Sequence, residues 1–165
     1  MNRSTLPIDE KFGSIYLYFT DGSSMPNYSG WAWYSPFEGV YYSKKEEEKT
    51  NNYCELSALL NLLEYIYKNK DMYIGGQIFI YTDSEYSRNS YINWMDQWEK
   101  NDWKKSDGKI IQNKDIIIKL YEIKQKLDKI KKIKIIVNHV ESHKKNNDLL
   151  SYCNNIVDLL AKSAK

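Results

Sequence analysis

Four acidic residues of this 165-residue chain have positions that suggest carboxylate chemistry. Asp21 and Asp83 each directly follow a stretch rich in apolar and β-branched residues, whereas Glu55 and Asp158 lie within helical patterns. In open α/β sheets, ligands bind beyond the carboxyl ends of the strands, which is where Asp21 and Asp83 are expected. A helix packed across those strand ends can bring Glu55 to the same point.

Carboxylates gathered at one point repel each other and raise one another's pKa unless cations compensate. Hard divalent ions with oxygen ligands are the natural compensation, and magnesium fits such a site. Two ions about 3.5–4 Å apart can clamp a phosphodiester, one activating the attacking water and the other stabilising the leaving oxygen. The four acids therefore suggest metal-assisted phosphodiester hydrolysis.

Each acid also has a purely structural interpretation that the residues leave open. Asp83 could share in the cap of the helix that begins directly after it. Glu55 lies three residues after Asn52, the spacing of a capping-box glutamate. An aspartate on the polar face of the last helix, such as Asp158, is commonly just solvated.

The elements that must position these acids follow from periodicity. Five segments have the composition of β-strands: residues 14–20, 30–35, 39–43, 77–82 and 134–140. Four segments have apolar residues at helical spacing: residues 50–67, 85–94, 116–127 and a last one from about residue 148. Short connections make the first three strands antiparallel neighbours. The order predicts an α/β fold with a five-stranded mixed sheet, three antiparallel strands plus two parallel ones, flanked by helices on both faces.

The apolar stripes of two helices predict which faces are buried. In the first helix the stripe leaves Glu55 on its flank and consists of Leu56, Leu59, Leu60, Leu63, Ile66 and Tyr67. In the last helix the expected core stripe is opposite Asp158 and consists of Leu149, Tyr152, Cys153, Ile156, Leu159 and Leu160.

Composition is that of an ordinary globular domain, with 42% hydrophobic and 28% charged residues. We expect a short leader at residues 1–11 and a single domain at residues 12–165. No signal peptide or membrane span is evident, and the two cysteines, Cys54 and Cys153, suggest thiols in a reducing compartment. An intracellular, cytoplasmic protein without a membrane partner is expected.

The net charge of +2 is unevenly distributed. Residues 1–100 carry nine basic and 14 acidic residues, whereas residues 101–165 carry 15 basic and eight acidic ones. An acidic first part suits metal ions and a basic second part suits a polyanion, although a solvated lysine-rich helix would give the same count.

In this order and on these elements, several short motifs resemble those of type 1 ribonuclease H. The segments that carry the resemblance are Phe-Thr-Asp-Gly-Ser at 19–23, Thr-Asn-Asn-Tyr-Cys-Glu-Leu at 50–56, Tyr-Thr-Asp-Ser-Glu-Tyr at 81–86, the tryptophans at 94, 98 and 103, residues 108–115, His143, and Asn-Asn-Ile-Val-Asp-Leu-Leu-Ala at 154–161. The resemblance runs from about residue 12 to residue 164. Its fold would be the mixed sheet expected above.

The resemblance implies an endoribonuclease that cleaves the RNA strand of RNA–DNA hybrids with little sequence specificity, leaving 3′-hydroxyl and 5′-phosphate ends. It also implies a monomer that uses two Mg²⁺ ions, for which Mn²⁺ can substitute. Its metal ligands would be Asp21, Glu55, Asp83 and Asp158, with Glu55 also near the cleaved ribose. His143 would help a product or a proton to leave.

Substrate contacts are implied by the same resemblance. Asn27, Asn51 and Asn52 would contact the hybrid, and Thr50 would help hold a DNA phosphate. Around the basic protrusion of the family, the better candidates for contact are Trp103, Lys104 and Lys105, because Trp94 and Trp98 have the i, i+4 spacing of residues that pack a helix.

Several departures from the family pattern affect the expected affinity, among them Glu99 and Asp102, which dilute the charge of the basic protrusion. Glu85 stands where the family often has a glutamine that reads the minor groove, and the loop around His143 lacks the usual glycines. Weaker and more salt-sensitive substrate binding than in strongly basic relatives follows. The alternatives are a DNA nuclease or resolvase of the same fold, and a non-catalytic hybrid-binding domain.

Overall fold

A five-stranded sheet forms the centre of the molecule, seen in a computed structural model that describes residues 6–141 and 148–165. The strands lie in the order β3-β2-β1-β4-β5. Their bounds are β1 Ile15–Met25, β2 Tyr28–Ser35, β3 Val40–Glu46, β4 Gln77–Thr82 and β5 Lys134–His139. β2 pairs antiparallel with β1 and β3, whereas β4 runs parallel to β1 and β5. The predicted mixed sheet is confirmed.

Helices cover both faces of this sheet. Their bounds are α1 Asn51–Lys68, α2 Lys70–Tyr73, α3 Glu85–Asn89, α4 Met95–Lys100, α5 Lys114–Asp128 and α6 Leu149–Lys162. A π-helical segment, Ser90–Trp94, joins α3 to α4. The single helix predicted over residues 85–94 is therefore the first part of a longer helical stretch, which changes from an α-helix to a π-helix and back to an α-helix.

The two faces of the sheet have separate apolar cores because side chains alternate along each strand. Tyr18, Ile78 and Ile80 belong to the core that α1 and α5 cover. Leu17, Phe79 and their neighbours belong to the core that α6 covers. The sheet is thus a rigid layer between helices, and its end can hold side chains in fixed positions.

The first strand is longer than the sequence predicted. The sequence pattern ended this strand at residue 20, but β1 continues to Met25. Its pairing with β4 ends at Thr20 opposite Thr82, while its pairing with β2 continues to Met25 opposite Tyr28. Asp21 is therefore a strand residue at the point where one neighbouring strand ends, and not a turn residue.

The predicted core stripe of the last helix is wrong for three large residues. Leu149 is 50% exposed, and Tyr152 and Leu159 are both 65% exposed. The face against the sheet carries mainly small residues instead: Ser151, Cys153, Asn154, Val157 and Ala161. Small side chains let this helix lie close to the sheet, which apolar periodicity alone does not reveal.

Residues before β1 contact the opposite end of the sheet from Asp21. The Asp9 N–H donates to the Gln77 side chain at 2.8 Å, and the Lys134 ammonium lies 2.9 Å from the Asp9 carboxylate. Among residues 6–141 and 148–165, no helix has both the length and the apolar character that crossing a bilayer requires.

Candidate active site

Two of the four acids meet at one edge of the sheet because their strands are parallel. Asp21 and Asp83 each come directly after the paired residues Thr20 and Thr82. Ser84 is the N-cap of α3, and its hydroxyl accepts a hydrogen bond from the Ser87 N–H at 3.1 Å. Since Ser84 provides the side-chain cap, the capping interpretation of Asp83 is not needed.

The start of α1 brings the third acid to this edge. Thr50 is the N-cap, and its hydroxyl accepts a hydrogen bond from the Tyr53 N–H at 3.1 Å. Glu55 is therefore the fifth helical residue, too far along for a capping box. A Cβ atom on Gly22 would lie 2.4 Å from the Glu55 nitrogen, so only glycine lets the helix come this close to β1.

The three carboxylates form one compact cluster. Asp21, Glu55 and Asp83 each offer a carboxylate oxygen, and these oxygens lie within 4.8 Å of one another. Asp21 is 2% exposed and Glu55 is 4% exposed. The Gly22 N–H donates to Asp21 Oδ1 at 2.9 Å, but Asp21 Oδ2 and Glu55 Oε2 are buried with no hydrogen-bond partner among the described residues. Buried polar atoms are normally paired, so these two oxygens call for a ligand.

The electrostatics of the cluster favour protonation when no cation is present. Burial, reinforced by the charge of Asp83, raises the pKa of Asp21 to about 9. Burial, together with the charges of Asp21 and Asp83, raises the pKa of Glu55 well above its usual range. Both shifts are in the direction expected for desolvated like charges.

Asp158 completes the cleft from α6. A cleft of about 440 Å³ is lined by Asp158, the three clustered acids and the start of α1. Lys162, one turn further along the helix, places its ammonium 2.9 Å from Asp158 Oδ2. The structure thus places all four predicted acids around one cleft, with the fourth in an ion pair.

These residues fit a divalent metal ion. Carboxylate oxygens are the ligands that hard cations prefer, and two buried ones, Asp21 Oδ2 and Glu55 Oε2, have no hydrogen-bond partner among the described residues. A cation bound to them would also offset the burial and the repulsion by Asp83 that together raise the pKa of Asp21. The cluster can therefore hold a divalent ion through Asp21, Glu55 and Asp83.

Four of the predicted substrate contacts lie near this cleft. Asn51 and Asn52, in the first turn of α1, line it directly. Asn27 and Thr50 line a neighbouring pocket of about 480 Å³ between the β1–β2 hairpin and the start of α1. The backbone of Asn27 is left-handed, with φ of 65°, a conformation that asparagine tolerates in tight hairpins.

The other predicted contacts lie elsewhere. Trp103 is half-buried and packs edge-on against Tyr121, with the ring centroids 5.5 Å apart. Lys104 and Lys105 follow it and are exposed, but neither lines the cleft. Trp94 and Trp98 lie 5.8 Å apart between ring centroids, as expected for a packed i, i+4 pair.

His143 lies outside the described residues, so its predicted role stays a prediction. Sequence reasoning missed Lys162, which lines the cleft. The sequence did contain a signal for Lys162, because a lysine four residues after a helical aspartate is spaced to form an ion pair. Tyr86 also lines the cleft without having been predicted as a site residue.

Comparison with known proteins gives a consistent result. The model of the family described as RNase H matches residues 14–165. The ribonuclease H of Neorickettsia sennetsu is 32% identical over 113 residues, which are 66% of this chain and 72% of that protein. The ribonuclease H of Tropheryma whipplei strain Twist is 40% identical over 100 residues, 59% of this chain and 58% of that protein. The probable ribonuclease H of Acanthamoeba polyphaga mimivirus is 36% identical over 115 residues, 70% of this chain and 47% of that protein.

Solved structures share the fold at low identity. LC11-RNase H1 in complex with an RNA/DNA hybrid superposes with a TM-score of 0.62 at 18% identity, covering 90% of this chain and 95% of that one. The protease-reverse transcriptase of prototype foamy virus superposes with a TM-score of 0.69 at 20% identity, covering 97% of this chain and 22% of that one. The matched family model covers the sheet, α1 and α6 together, and we conclude that this chain belongs to the RNase H family.

Proposed function

We propose that this chain is an endoribonuclease that hydrolyses the RNA strand of RNA–DNA hybrids and leaves 3′-hydroxyl and 5′-phosphate ends. The observation that carries the proposal is the cluster of Asp21, Glu55 and Asp83, whose ligand oxygens lie within 4.8 Å of one another at the end of two parallel strands. A binding module would have no need to bury two carboxylates that destabilise each other.

The acids of the cleft hold the metal and position the reacting groups. Asp21, Glu55 and Asp83 bind Mg²⁺, with Asp158 as the ligand from the other side of the cleft. When bound, a pair of such ions activates water and stabilises the leaving oxygen, and Mn²⁺ can replace Mg²⁺. Glu55 is the fifth residue of α1, beside the residues proposed to contact the hybrid, and from there it can also reach the ribose of the cleaved nucleotide.

Lys162 neutralises Asp158 before substrate arrives. The 2.9 Å ion pair raises the pKa of the Lys162 ammonium, and the ammonium lines the same cleft as the acids. A fixed cation at this position reduces the repulsion between the cleft and the phosphates of a nucleic acid. Because this ion pair is partly exposed and therefore weak, a metal ion can compete with Lys162 for Asp158.

The hybrid is recognised by shape and by its sugar hydroxyls. Asn51 and Asn52 line the cleft with side-chain amides that can both donate and accept. Asn27 and Thr50 line the neighbouring pocket, where Thr50 helps to hold a DNA phosphate. RNA is distinguished from DNA through its 2′-hydroxyl and minor-groove shape, which makes cleavage tolerant of base sequence. The relative whose structure is described as a complex with an RNA/DNA hybrid supports this substrate class.

More distant residues support binding and product release. Lys104 and Lys105 are exposed cations beside Trp103, suited to contact the phosphates of a long substrate. His143 assists the departure of a product or a proton. We also propose that the protein acts as a monomer, because the four acids of the cleft belong to one chain and the site needs no acid from a second.

A cleavage assay tests the proposal. Wild-type protein with Mg²⁺ is expected to cut the RNA strand of a labelled hybrid. Asp83→Asn is expected to lose at least about 10²-fold in kcat, because loss of a charged metal ligand costs no less than loss of a group that only orients one. Asp71→Asn is the matched control, since Asp71 is exposed on α2, which precedes the other end of β4.

The same assay separates the alternatives. An intact hybrid, or equal cleavage by Asp83→Asn, would contradict the proposed mechanism. Preferential cleavage of duplex DNA or of a DNA junction would identify a DNA nuclease instead. Binding of the hybrid without cleavage in Mg²⁺ or Mn²⁺ would identify a non-catalytic binding domain.

A further inference from the structure

Tyr28 connects the β1–β2 hairpin to the end of α6. Its hydroxyl donates to the Ala161 carbonyl at 2.5 Å and accepts from the Ala164 N–H at 2.9 Å. The last four carbonyls of a helix have no partner within the helix. One phenol therefore satisfies a carbonyl of the last turn of α6 and an amide just beyond the helix.

Gly30 makes the space for this connection. A Cβ atom on Gly30 would lie 2.4 Å from the Ala161 oxygen and 2.5 Å from the Tyr28 hydroxyl oxygen. Because no side chain stands there, the backbone of β2 and the last turn of α6 are in direct contact. Ala161 is completely buried at this contact, so the distance between the end of α6 and the sheet is fixed by close packing.

The contact has a consequence for the cleft. Asp158 lies three residues before Ala161, one helical turn away, and its carboxylate lines the cleft beside Asp21. Tyr28 also directly follows Asn27, the hairpin residue that we propose as a substrate contact. Strand pairing of Met25 with Tyr28 already holds the end of the hairpin. The Tyr28 hydroxyl therefore adds a hold on the turn of α6 that carries the fourth acid.

We propose that Tyr28 is a positioning residue whose hydroxyl holds the last turns of α6 so that Asp158 faces the other three acids. The effect on catalysis rests on the proposed function, whereas the effect on metal binding does not.

The Tyr28→Phe variant tests this positioning role, because it keeps the ring and removes only the hydroxyl. We expect kcat on the hybrid to fall about tenfold, KM to stay within about twofold, and the Mg²⁺ concentration for half-maximal rate to rise several-fold, as for residues that orient metal ligands.

A double-mutant cycle distinguishes positioning from a general loss of stability. In an Asp158→Asn background, Tyr28→Phe is expected to cause no further fall in kcat, because the residue that it positions has already lost its charge. Tyr152→Phe is the matched control, as it removes a phenol hydroxyl that is on the exposed face of the same helix. Losses that multiply in the double mutant would overturn the inference.

Metal binding provides a readout that needs no cleavage. By calorimetry, Tyr28→Phe is expected to bind Mn²⁺ several-fold more weakly than wild type, and the difference is expected to vanish in the Asp158→Asn background. If wild type leaves the hybrid intact while this pattern holds, the proposed function fails and the positioning role stands. If Tyr28→Phe binds Mn²⁺ like wild type and only its melting temperature falls, Tyr28 is purely structural and the inference is wrong.

Hydrogen exchange on the wild-type protein tests the contact without any variant. The Ala164 amide is expected to exchange slowly, because it donates to the Tyr28 hydroxyl beyond the end of the helix. Bound Mn²⁺ is expected to slow it further. An Ala164 amide that exchanges as fast as the amide of the terminal Lys165 would overturn the inference.

Discussion

At the scale of single residues, two buried acids reduce the stability of the metal-free protein. Asp21 and Glu55 are almost inaccessible to water, and each has an oxygen without a hydrogen-bond partner among the described residues. Without a cation, the folded protein must either keep these groups protonated or hold like charges together in a poorly solvated place. The metal-free protein is therefore expected to be less stable than the same fold with a neutral cluster.

Removing one of these charges should stabilise the metal-free protein at alkaline pH. The pKa of Asp21 is raised from 3.8 to about 9, so the folded state keeps a proton that the unfolded chain has lost. This contribution to stability is fully present below the unfolded pKa and is lost as the pH rises towards the folded one. Asp21→Asn has no such proton, and in EDTA at pH 8 we expect it to raise the free energy of unfolding by about 1–3 kcal/mol.

Urea unfolding in EDTA at pH 5.5 and pH 8 measures this effect. Wild type is expected to lose stability between the two values and Asp21→Asn to lose less. Asp71→Asn, an exposed site, serves as the control and should follow wild type. Identical pH dependence in wild type and Asp21→Asn would contradict the raised pKa.

Glu85 is expected to weaken substrate binding. It is exposed, lies two residues after Asp83 and lines the same cleft. A carboxylate there repels phosphate and cannot donate a hydrogen bond, whereas a glutamine amide can. We expect Glu85→Gln to lower the Kd for the hybrid about two- to fivefold, the range of a single exposed charge interaction.

Binding of the hybrid to Glu85→Gln, measured by fluorescence anisotropy in EDTA, checks this expectation. The gain should shrink as salt is added, because exposed charges are screened. Glu122→Gln removes a charge from the exposed face of α5 and should leave the Kd unchanged. Equal affinities for wild type and Glu85→Gln at low salt would show that Glu85 does not face the substrate.

At the scale of elements, the contact between β1 and α1 determines whether Glu55 reaches the cluster. A Cβ atom on Gly22 would lie 2.4 Å from the nitrogen of Glu55 and 2.5 Å from the carbonyl carbon of Cys54, both backbone atoms. Gly22→Ala must therefore push the start of α1 away from the strand. We expect it to lower the free energy of unfolding by about 1–3 kcal/mol, as overpacking does, and to weaken Mn²⁺ binding as well.

Thermal unfolding together with Mn²⁺ calorimetry tests the role of Gly22. Gly13→Ala is the matched control, because its added methyl group would meet only the Gly75 carbonyl oxygen at an ordinary 3.6 Å. The control should bind Mn²⁺ like wild type. A Gly22→Ala protein with wild-type Mn²⁺ affinity would show that the close approach is not needed for the site.

The same elements show how far the sequence predicts this molecule. The strands and α1 were predictable because alternation and a strong leucine stripe are local signals. The three-acid cluster was predictable in outline, since parallel strands must end at the same edge. The short distances between the three acids were not predictable. They depend on the close approach of α1 to β1 at Gly22, a tertiary contact that is possible only because glycine has no side chain.

The orientation of α6, in contrast, was predicted wrongly from the sequence. Its large apolar residues predicted a buried stripe, but Tyr152 and Leu159 are exposed and the buried face includes Val157 and Ala161. Close packing against Gly30 selects small residues, so the size of the side chains outweighs their hydropathy here. The same orientation of α6 turns Asp158 towards the cleft. The sequence pattern had instead placed Asp158 on a solvated face.

At the scale of the whole molecule, charge is divided along the chain. The residues up to 100 carry an excess of acids and the rest carry an excess of lysines, so that the net charge is only +2. A weakly basic protein that binds a polyanion must rely on a few local cations rather than on a general field. Binding of the hybrid should therefore be weak at physiological salt and should become tighter as salt is lowered, with a slope set by the few cations that contact phosphates.

The salt dependence of binding tests which cations carry this interaction. In an Asp83→Asn background, which should prevent cleavage, we expect the slope of log Kd against log salt to fall by about one for each phosphate contact removed. Replacing Lys104 and Lys105 by alanine should therefore flatten the slope by one to two units, approximately, and weaken binding equally for hybrids of different sequence. Lys68→Ala, in the last turn of α1 and far along the helix from Glu55, is the control and should leave the slope unchanged. A Kd that barely changes between low and physiological salt, or an unchanged slope in the double variant, would mean that binding rests on the cleft alone.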